Sequence, residues 1–212
     1  MLYIVRHGRT ESNASGLLLG HADPPLDELG RWQAAQAARS LSPSNGVTLG
    51  RIISSPLVRA RETAEALAAQ NPIAPAVTVD DRLIELDYGD WDQIPIRDIR
   101  PAQWRAWQAD VDFAPPGGES LAELHERVVA ALDELVDEAR ERDIAIVTHV
   151  SPIKSIVAWA LGVGVEVSWR MFVTNAAIST VSTANGRPQL HRFNDTAHLT
   201  DTTGQPPDPR RL

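Results

Sequence analysis

Two histidines follow short apolar runs that predict buried strands. His7 comes shortly after the run at residues 2–5, and His149 directly follows the run at residues 144–148. A neutral imidazole can attack phosphorus or accept a proton near neutral pH. A histidine taken alone is more often structural, as a buried or capping residue. Because both stand at the ends of predicted strands, we interpret them as candidate catalytic residues.

Two arginines accompany these histidines. Arg6 directly precedes His7. Arg59 lies one turn into a predicted helix, with Ser55 as its N-cap and Pro56 at its first position. A helix N-terminus and a guanidinium both favour a bound anion. The alternative for Arg59 is a solvated side chain in a surface ion pair.

Glu85 is the candidate acid. It lies in a segment that carries four acidic side chains between residues 83 and 92. A run of charge is usually a solvated loop, and by itself this one indicates no function. A glutamate placed between a phosphate and apolar walls would suit a general acid near neutral pH.

The composition excludes several kinds of chemistry. The chain of 212 residues has no cysteine, which excludes disulfides, thiolate metal sites and cysteine nucleophiles. A net charge of −8 argues against general nucleic-acid binding, which needs a basic face. The six histidines lack the spacing of a helical two-histidine metal site, and the P-loop, dinucleotide and serine-esterase motifs are absent. We therefore expect neither a metal nor another cofactor.

The sequence also argues against a membrane protein. The first residues do not resemble a signal peptide, and the most apolar later stretch, residues 156–167, is too short to span a bilayer. Hydrophobic residues make up 43% and charged residues 23%, as in soluble globular domains. We expect a cytoplasmic protein with no membrane partner. The oligomeric state stays open, a homodimer included.

The hydrophobic pattern predicts strands that alternate with helices. The predicted strands are 2–5, 51–53, 77–79, 144–148, 177–182 and 189–193; the predicted helices are 28–41 (capped by Asp27), 56–71, 96–107, 120–142 and 152–161 (capped by Ser151), with a loop at 7–26. This alternation predicts an α/β fold, a three-layer α/β/α arrangement with a mostly parallel central sheet. We expect one domain over residues 1–199, with a small lid segment at about 86–118 and a flexible tail at 200–212.

The predicted topology brings the candidate residues together. Ligands of open α/β sheets bind beyond the carboxyl ends of the strands. Arg6-His7 follows the first strand, Ser54-Ser55 the second and His149 the late one. Three separate strands therefore deliver polar residues to one edge of the sheet, where we expect the site.

Five segments, taken in order, resemble the histidine phosphatase superfamily, which includes the cofactor-dependent phosphoglycerate mutases. The order and spacing match from Leu2 to about Gly162. The segments are R-H-G-R-T-E-S-N at 6–13, S-S-P-L-V-R-A-R-E-T-A at 54–64, the acid loop with Glu85, Gly89 and Trp91, G-G-E-S at 117–120, and V-T-H at 147–149. One such match would be weak, whereas five in order are specific.

This resemblance implies a role for each matching residue. His7 would be the nucleophile that becomes phosphohistidine, and Glu85 would protonate the leaving oxygen and later accept a proton from water. The groups implied to hold the phosphoryl oxygens are Arg6, Asn13, Arg59 and His149. Phosphoryl transfer depends mainly on positioning and charge neutralisation, which two arginines and an imidazolium can supply without a metal.

The sequence departs from the family pattern around the expected substrate. Leu17-Leu18-Leu19-Gly20 stands where relatives often have Arg-x-Gln-Gly, Val150-Ser151 follows the second histidine in place of Gly-Gly, and Trp91-Asp92-Gln93 replaces Trp-Glu-Gly. We interpret Gly20, Trp91 and Val150 as candidate substrate-binding positions. Leu17–19, Trp91, Trp104, Trp107 and Phe113 are candidates for an apolar pocket wall, or for packing of the lid against the domain.

Two activities share this catalytic core. A mutase must hold a bisphosphorylated acid and needs a basic lid, whereas residues 86–118 carry six Asp and three Arg, a net charge of −3. We therefore predict hydrolysis of a small phosphorylated metabolite. Phosphoglycerate mutase activity is the alternative, and a non-catalytic phospholigand-binding protein is a remote one. Within the family, the chain resembles the alpha-ribazole phosphatase and broad phosphatase branches most.

Overall fold

The computed structural model describes residues 1–71, 73, 76–184 and 186–200. The strands are β1 (Leu2–Arg6), β2 (Leu49–Ser54), β3 (Thr78–Val79), β4 (Asp143–Thr148), β5 (Ile178–Ser182) and β6 (Gln189–Asp195). The helices are α1 (Glu11–Ala14), α2 (Glu28–Ser40), α3 (Val58–Gln70), α4 (Pro101–Ala109), α5 (Leu121–Leu135), α6 (Glu138–Glu141) and α7 (Val150–Leu161). Beyond Thr200, the predicted flexible tail lies outside the described residues.

Six strands form one sheet, in the order β3-β2-β4-β1-β5-β6. The β3–β2, β2–β4 and β4–β1 pairs are parallel, whereas β5 is antiparallel to both of its neighbours. Arg6 is in register with Thr148, and Ser54 with Val147. The carboxyl ends of β1, β2 and β4 therefore meet at one edge, and the prediction of a mostly parallel central sheet is confirmed.

Helices cover both faces of the sheet, as the alternation of side chains along the buried strands requires. In β4, Ile144 and Ile146 face the core that α5 and α7 complete, with Leu124 and Ile156 among its members. The intervening Ala145 and Val147 belong to the opposite core, which α2 and α3 complete. Strands with apolar side chains on both faces are typical of a parallel sheet between two helical layers. The three-layer prediction is confirmed.

Two helix starts differ from the prediction. Helix α3 begins at Val58 rather than Pro56, and its first N–H donates to Asp23 Oδ1 at 2.7 Å. Helix α7 begins at Val150, with His149 in the N-cap position and without a capping bond from its side chain. In both helices, a carboxylate from a distant segment accepts the first N–H group. A sequence signature based on a local Ser-Pro pair cannot detect such a cap.

The structure differs from the prediction in three further segments. The segment 7–26, predicted as loop, contains α1, because Thr10 and Asn13 form a capping box. The helix predicted over 96–107 is a 3-10 turn at Ile96–Asp98 followed by α4, with Pro101 as the first residue of α4. The long helix predicted over 120–142 ends at Leu135, and the separate short α6 follows it.

Two glycines let the loop after β1 lie against α2. A β-carbon added at Gly30 would lie 2.0 Å from the carbonyl oxygen of Arg9, and one added at Gly8 would lie 2.3 Å from that of Gly30. Backbone atoms cannot yield as a flexible side chain can. The absence of a side chain at these two positions therefore fixes the path of the segment that carries His7.

We expect Gly30→Ala to lower the free energy of unfolding by about 1–3 kcal/mol, the usual cost of overpacking. Gly50→Ala is the matched control, because the atoms nearest to its added methyl group belong to the Arg142 side chain rather than to the backbone, with Cδ at 2.8 Å. Urea denaturation of both variants measures the difference. Equal stability of the two variants would contradict the close approach of the two backbones.

Candidate active site

The two predicted histidines lie next to each other beyond the ends of β1 and β4. Their ring centroids are 5.0 Å apart, with an angle of 56° between the planes. Both side chains are buried. The backbone N–H of His7 donates to the carbonyl oxygen of Thr148 at 3.0 Å. This bond extends the β1–β4 ladder by one position. The pairing of two parallel strands thus fixes the distance between the rings.

A hydrogen bond to the backbone determines the tautomer of His7. Its Nδ1 lies 2.7 Å from Gly8 O, and a carbonyl oxygen only accepts. Nδ1 therefore carries the proton, and in the neutral ring Nε2 keeps its lone pair. The turn is held in place because Gly8 N donates to Thr63 Oγ1 at 3.1 Å. This arrangement presents an oriented nitrogen nucleophile.

Burial and positive charge keep both imidazoles neutral. The pKa of His7 lies well below its ordinary value of 6.5, first because of burial and then because of Arg59 and Arg6. The pKa of His149 is also well below that value, through burial and then Arg59 and His7. His149 Nε2 lies 2.7 Å from Ser55 Oγ, a partner that sequence reasoning assigned to a helix cap instead.

Glu85 is held at the N-terminus of α7. Its Oε1 accepts the N–H groups of Leu86 at 2.8 Å and Ser151 at 3.1 Å, and its Oε2 accepts that of Val150 at 3.1 Å. The carboxylate thus caps the helix that starts directly after His149. This contact links the acid loop to the second histidine and gives the carboxyl group one orientation.

The two arginines belong to the same cluster but are placed differently. Arg6 donates to Val173 O at 2.6 Å, and burial lowers its pKa to about 10 although Glu85 opposes the shift. Arg59 is fully buried, and its terminal nitrogens donate to Ala22 O and Gly20 O at 2.8 and 2.7 Å. Burial lowers the pKa of Arg59 as well. Among the described residues, neither Nε atom has a hydrogen-bond partner.

A cavity of about 400 Å³ opens over His7. Its polar lining comprises Arg6, His7, Asn13, Glu85, Tyr88, Ser151, Lys154 and Ser168, and the apolar Val150 lies among them. Its apolar lining comprises Leu17, Leu18, Leu19, Ile96, Trp104, Trp107, Leu121, Trp169, Phe172 and Val173. Arg59 and His149 are fully buried next to His7 and do not line the cavity.

The candidate substrate-binding positions divide between cavity and core. Val150 lines the cavity, whereas Gly20 and Trp91 do not. Trp91 is buried and packs edge-on against Trp107, with ring centroids 5.7 Å apart. Gly20 supplies the carbonyl that accepts from Arg59, and a β-carbon there would lie 2.9 Å from Leu86 O. Gly20 and Trp91 therefore position Arg59 and Trp107 without lining the cavity themselves.

The apolar wall also differs from the predicted one. Leu17–19, Trp104 and Trp107 line the cavity as expected, whereas Phe113 packs on the core with Trp91. Trp169 and Phe172, which sequence reasoning missed, come from the segment before β5. Trp169 meets Trp107 edge-on at 4.6 Å. Only tertiary packing brings the segment that carries Trp169 against α4, which carries Trp107.

The described residues contain neither a membrane-spanning helix nor a cluster of metal-ligating side chains. No helix in that part of the chain is long and apolar enough to cross a membrane. Within the same residues, no group of three or more His, Asp or Glu side chains is arranged to hold a metal ion.

Comparison with known proteins gives the family. The sequence profile of the histidine phosphatase superfamily (branch 1) matches residues 2–196. The chain belongs to this superfamily. A bifunctional protein of Mycobacterium tuberculosis is 33% identical over 93% of this chain, and the chain spans only 54% of its length. Phosphoserine phosphatase 1 of Hydrogenobacter thermophilus is 32% identical, with 93% of each chain covered.

Solved structures of the same superfamily are also similar. A mycobacterial glucosyl-3-phosphoglycerate phosphatase in complex with VO3 superimposes with a TM-score of 0.82 at 31% identity, covering 92% of this chain and 99% of the other. The alpha-ribazole phosphatase of Shigella flexneri gives a TM-score of 0.79 at 28% identity, covering 92% and 96%. The predicted resemblance to this superfamily is confirmed.

The lowered pKa values of His7 and His149 predict a loss of stability in mild acid. An unfolded histidine takes up a proton near its ordinary pKa of 6.5, whereas these two imidazoles stay neutral when folded. The unfolded state therefore binds more protons below that pH. As the pH is lowered below 6.5, the free energy of unfolding should decrease by up to about 1.4 kcal/mol per pH unit for each histidine.

Urea denaturation at a series of pH values measures this slope. We expect a shallower slope for His7→Gln and for His149→Gln than for the wild type, with His191→Gln, on the exposed edge strand β6, as the surface control. Wild-type slopes in both site variants would show that these imidazoles gain protons in the folded state.

Proposed function

We propose that the protein hydrolyses phosphomonoesters of small metabolites in two steps, through a phosphohistidine at His7. The observation that carries the proposal is the state of His7: a neutral, oriented ring in electrostatic contact with Arg6 and Arg59. These positive charges suit a phosphoryl group, whose negative charge spreads over its oxygens during transfer.

In the first step, the lone pair on His7 Nε2 attacks phosphorus, and the bond from phosphorus to the leaving oxygen breaks. Arg6, Arg59 and His149 neutralise the phosphoryl oxygens. Asn13 contributes its amide N–H groups, because its Oδ1 already accepts bonds from Thr10 and Asn175. His149 Nδ1 lacks a partner within the described residues, so it is the ring nitrogen left to donate to a phosphoryl oxygen once the ring is protonated.

Glu85 supplies the proton that the leaving oxygen takes. Its Oε1 accepts two N–H groups and its Oε2 only one, so Oε2 is the oxygen with room for the acidic proton. In the second step, water attacks the phosphohistidine and gives its proton to the Glu85 carboxylate. The phosphorus–nitrogen bond breaks, inorganic phosphate forms, and both residues return to their starting states.

The cavity favours hydrolysis over mutase chemistry. A bisphosphorylated acid needs cationic groups for its second phosphoryl group. The lid contributes Ile96, Trp104 and Trp107 to the lining, and Lys154 is the one cationic side chain there besides the catalytic set, among the residues that the structure describes. The names of the related phosphoserine and glucosyl-3-phosphoglycerate phosphatases also support hydrolysis of a small phosphorylated metabolite.

We expect the wild type to hydrolyse p-nitrophenyl phosphate in the presence of EDTA, from about pH 5 to 8. His7→Ala should lose this activity, because no other nitrogen takes the place of the nucleophile. Release of p-nitrophenol measures both proteins. Full activity of His7→Ala would contradict the phosphohistidine, and loss in EDTA that Mg²⁺ restores would contradict a metal-free mechanism.

If the wild type hydrolyses no phosphate ester, the two alternative functions are tested next. Phosphoglycerate with a bisphosphoglycerate primer then tests the mutase alternative. Vanadate that raises the melting temperature without any turnover would indicate a binding protein instead.

The proposed acid predicts a difference between leaving groups. Glu85→Gln should slow the hydrolysis of benzyl phosphate by about 10²–10⁴-fold, and that of p-nitrophenyl phosphate much less, because nitrophenolate leaves with little protonation. The ratio of the two rates is an internal control, since partial unfolding lowers both equally. Equal slowing of both esters would remove Glu85 from the role of acid.

A further inference from the structure

Lys154 is the only lysine in the sequence; the other basic side chains among the 20 Lys and Arg are arginines. It lies on α7, one turn after the residues that donate to Glu85. Its side chain lines the cavity over His7. The proposed mechanism does not use it.

Lys154 has no ion-pair partner in the part of the chain that the structure describes. Within residues 1–71, 73, 76–184 and 186–200, it forms neither a salt bridge nor a hydrogen bond, although Glu85 and Arg6 both influence it electrostatically. Burial lowers its pKa. Lys154 is half-buried in the wall of the cavity, and a ligand that brings an anion to its ammonium would be favourably bound there.

The residues that line the cavity indicate which kind of ligand it can bind. Trp104, Trp107 and Trp169 contribute aromatic surface, and Leu17–19 contribute aliphatic surface. In the described part of the chain, the indole nitrogens of Trp107 and Trp169 have no acceptor. These two nitrogens are themselves buried, so the wall offers a ligand mainly apolar surface, which suits an aromatic or aliphatic body.

We propose that Lys154 determines substrate specificity by binding a carboxylate on the alcohol part of the phosphomonoester. The substrate class is then a phosphate ester whose leaving group combines an aromatic or aliphatic body with one carboxylate. This inference rests on the proposed function. A second phosphoryl group fits less well, because a single ammonium cannot neutralise a dianion in an apolar cavity. A cavity of about 400 Å³ suits a molecule of this size.

Binding of two matched phosphonates tests the proposal without depending on turnover. Benzylphosphonate and (4-carboxybenzyl)phosphonate differ only in the carboxylate. We expect isothermal titration calorimetry of the wild type to give a Kd at least about tenfold lower for the carboxylated compound. In Lys154→Met the ratio of the two Kd values should fall to about one, and Lys154→Arg should restore most of the preference.

Arg97→Met is the matched control for the loss of one positive charge. Arg97 neighbours the cavity-lining Ile96, but its side chain is 86% exposed and does not line the cavity. This variant should keep the wild-type ratio. If Lys154→Met is poorly folded, Lys154→Gln replaces it.

The outcomes separate the two proposals. Equal loss of affinity for both phosphonates in Lys154→Met, or no loss for either, would overturn the assignment of the carboxylate to Lys154. Lys154-dependent binding by a protein that hydrolyses no ester would support the assignment and contradict the proposed function. Failure of the wild type to bind either phosphonate would contradict both.

The single lysine permits a direct observation as well. Reductive methylation with ¹³C-formaldehyde labels only Lys154 and the N-terminal amine, and the spectrum of Lys154→Met assigns the two signals. The Lys154 signal should respond more strongly to (4-carboxybenzyl)phosphonate than to benzylphosphonate, with an upward shift of its titration midpoint. Identical responses to the two compounds would contradict contact with the carboxylate.

Discussion

The contact between Glu85 and the start of α7 is the constraint on which the site depends. One carboxylate accepts the N–H groups of Val150 and Ser151, which would otherwise be left without partners at a buried helix end. The helix begins directly after His149, so the same contact determines where that ring lies. It also brings the acid loop, and with it the lid, to the carboxyl edge of the sheet. Folding and the proton transfer proposed for Glu85 would therefore rely on the same carboxylate.

Around this contact, the fold concentrates positive charge and removes water. Arg6 and Arg59 stand close to two imidazoles that burial already makes hard to protonate. Arg59 is held by the backbone carbonyls of Gly20 and Ala22 and by an ion pair with the half-exposed Asp23, Nη1 to Oδ1 at 3.9 Å. Such a cluster is complementary to an anion, and a phosphoryl group would restore the proton affinity of His149 while His7 acts as the nucleophile. The electrostatics that destabilise the free site thus favour its transition state.

The cavity combines this charged floor with an aromatic wall. Trp104, Trp107 and Trp169 meet one another edge-on, so α4 and the segment before β5 form one packed unit. Trp91 stabilises this unit from the core without reaching the cavity. Lys154 is the exception within the apolar surroundings, and in the proposed assignment it marks the place of a second negative charge on the substrate. Chemistry and specificity therefore occupy different parts of one cavity.

The sequence by itself determined the layers, the order of the strands along the chain and the residues of the proposed catalytic set. Apolar runs with covered faces produce a parallel sheet, and His7, Glu85 and His149 stand at or near the ends of the elements that carry them. Tertiary structure alone decided what those side chains touch. Ser55 binds His149 instead of capping α3, Glu85 caps α7 from 65 residues away, and Trp169 joins the cavity in place of Trp91. The reason is physical: hydrophobic period and local capping report short-range preferences, whereas caps and walls supplied by distant segments exist only once the layers have packed.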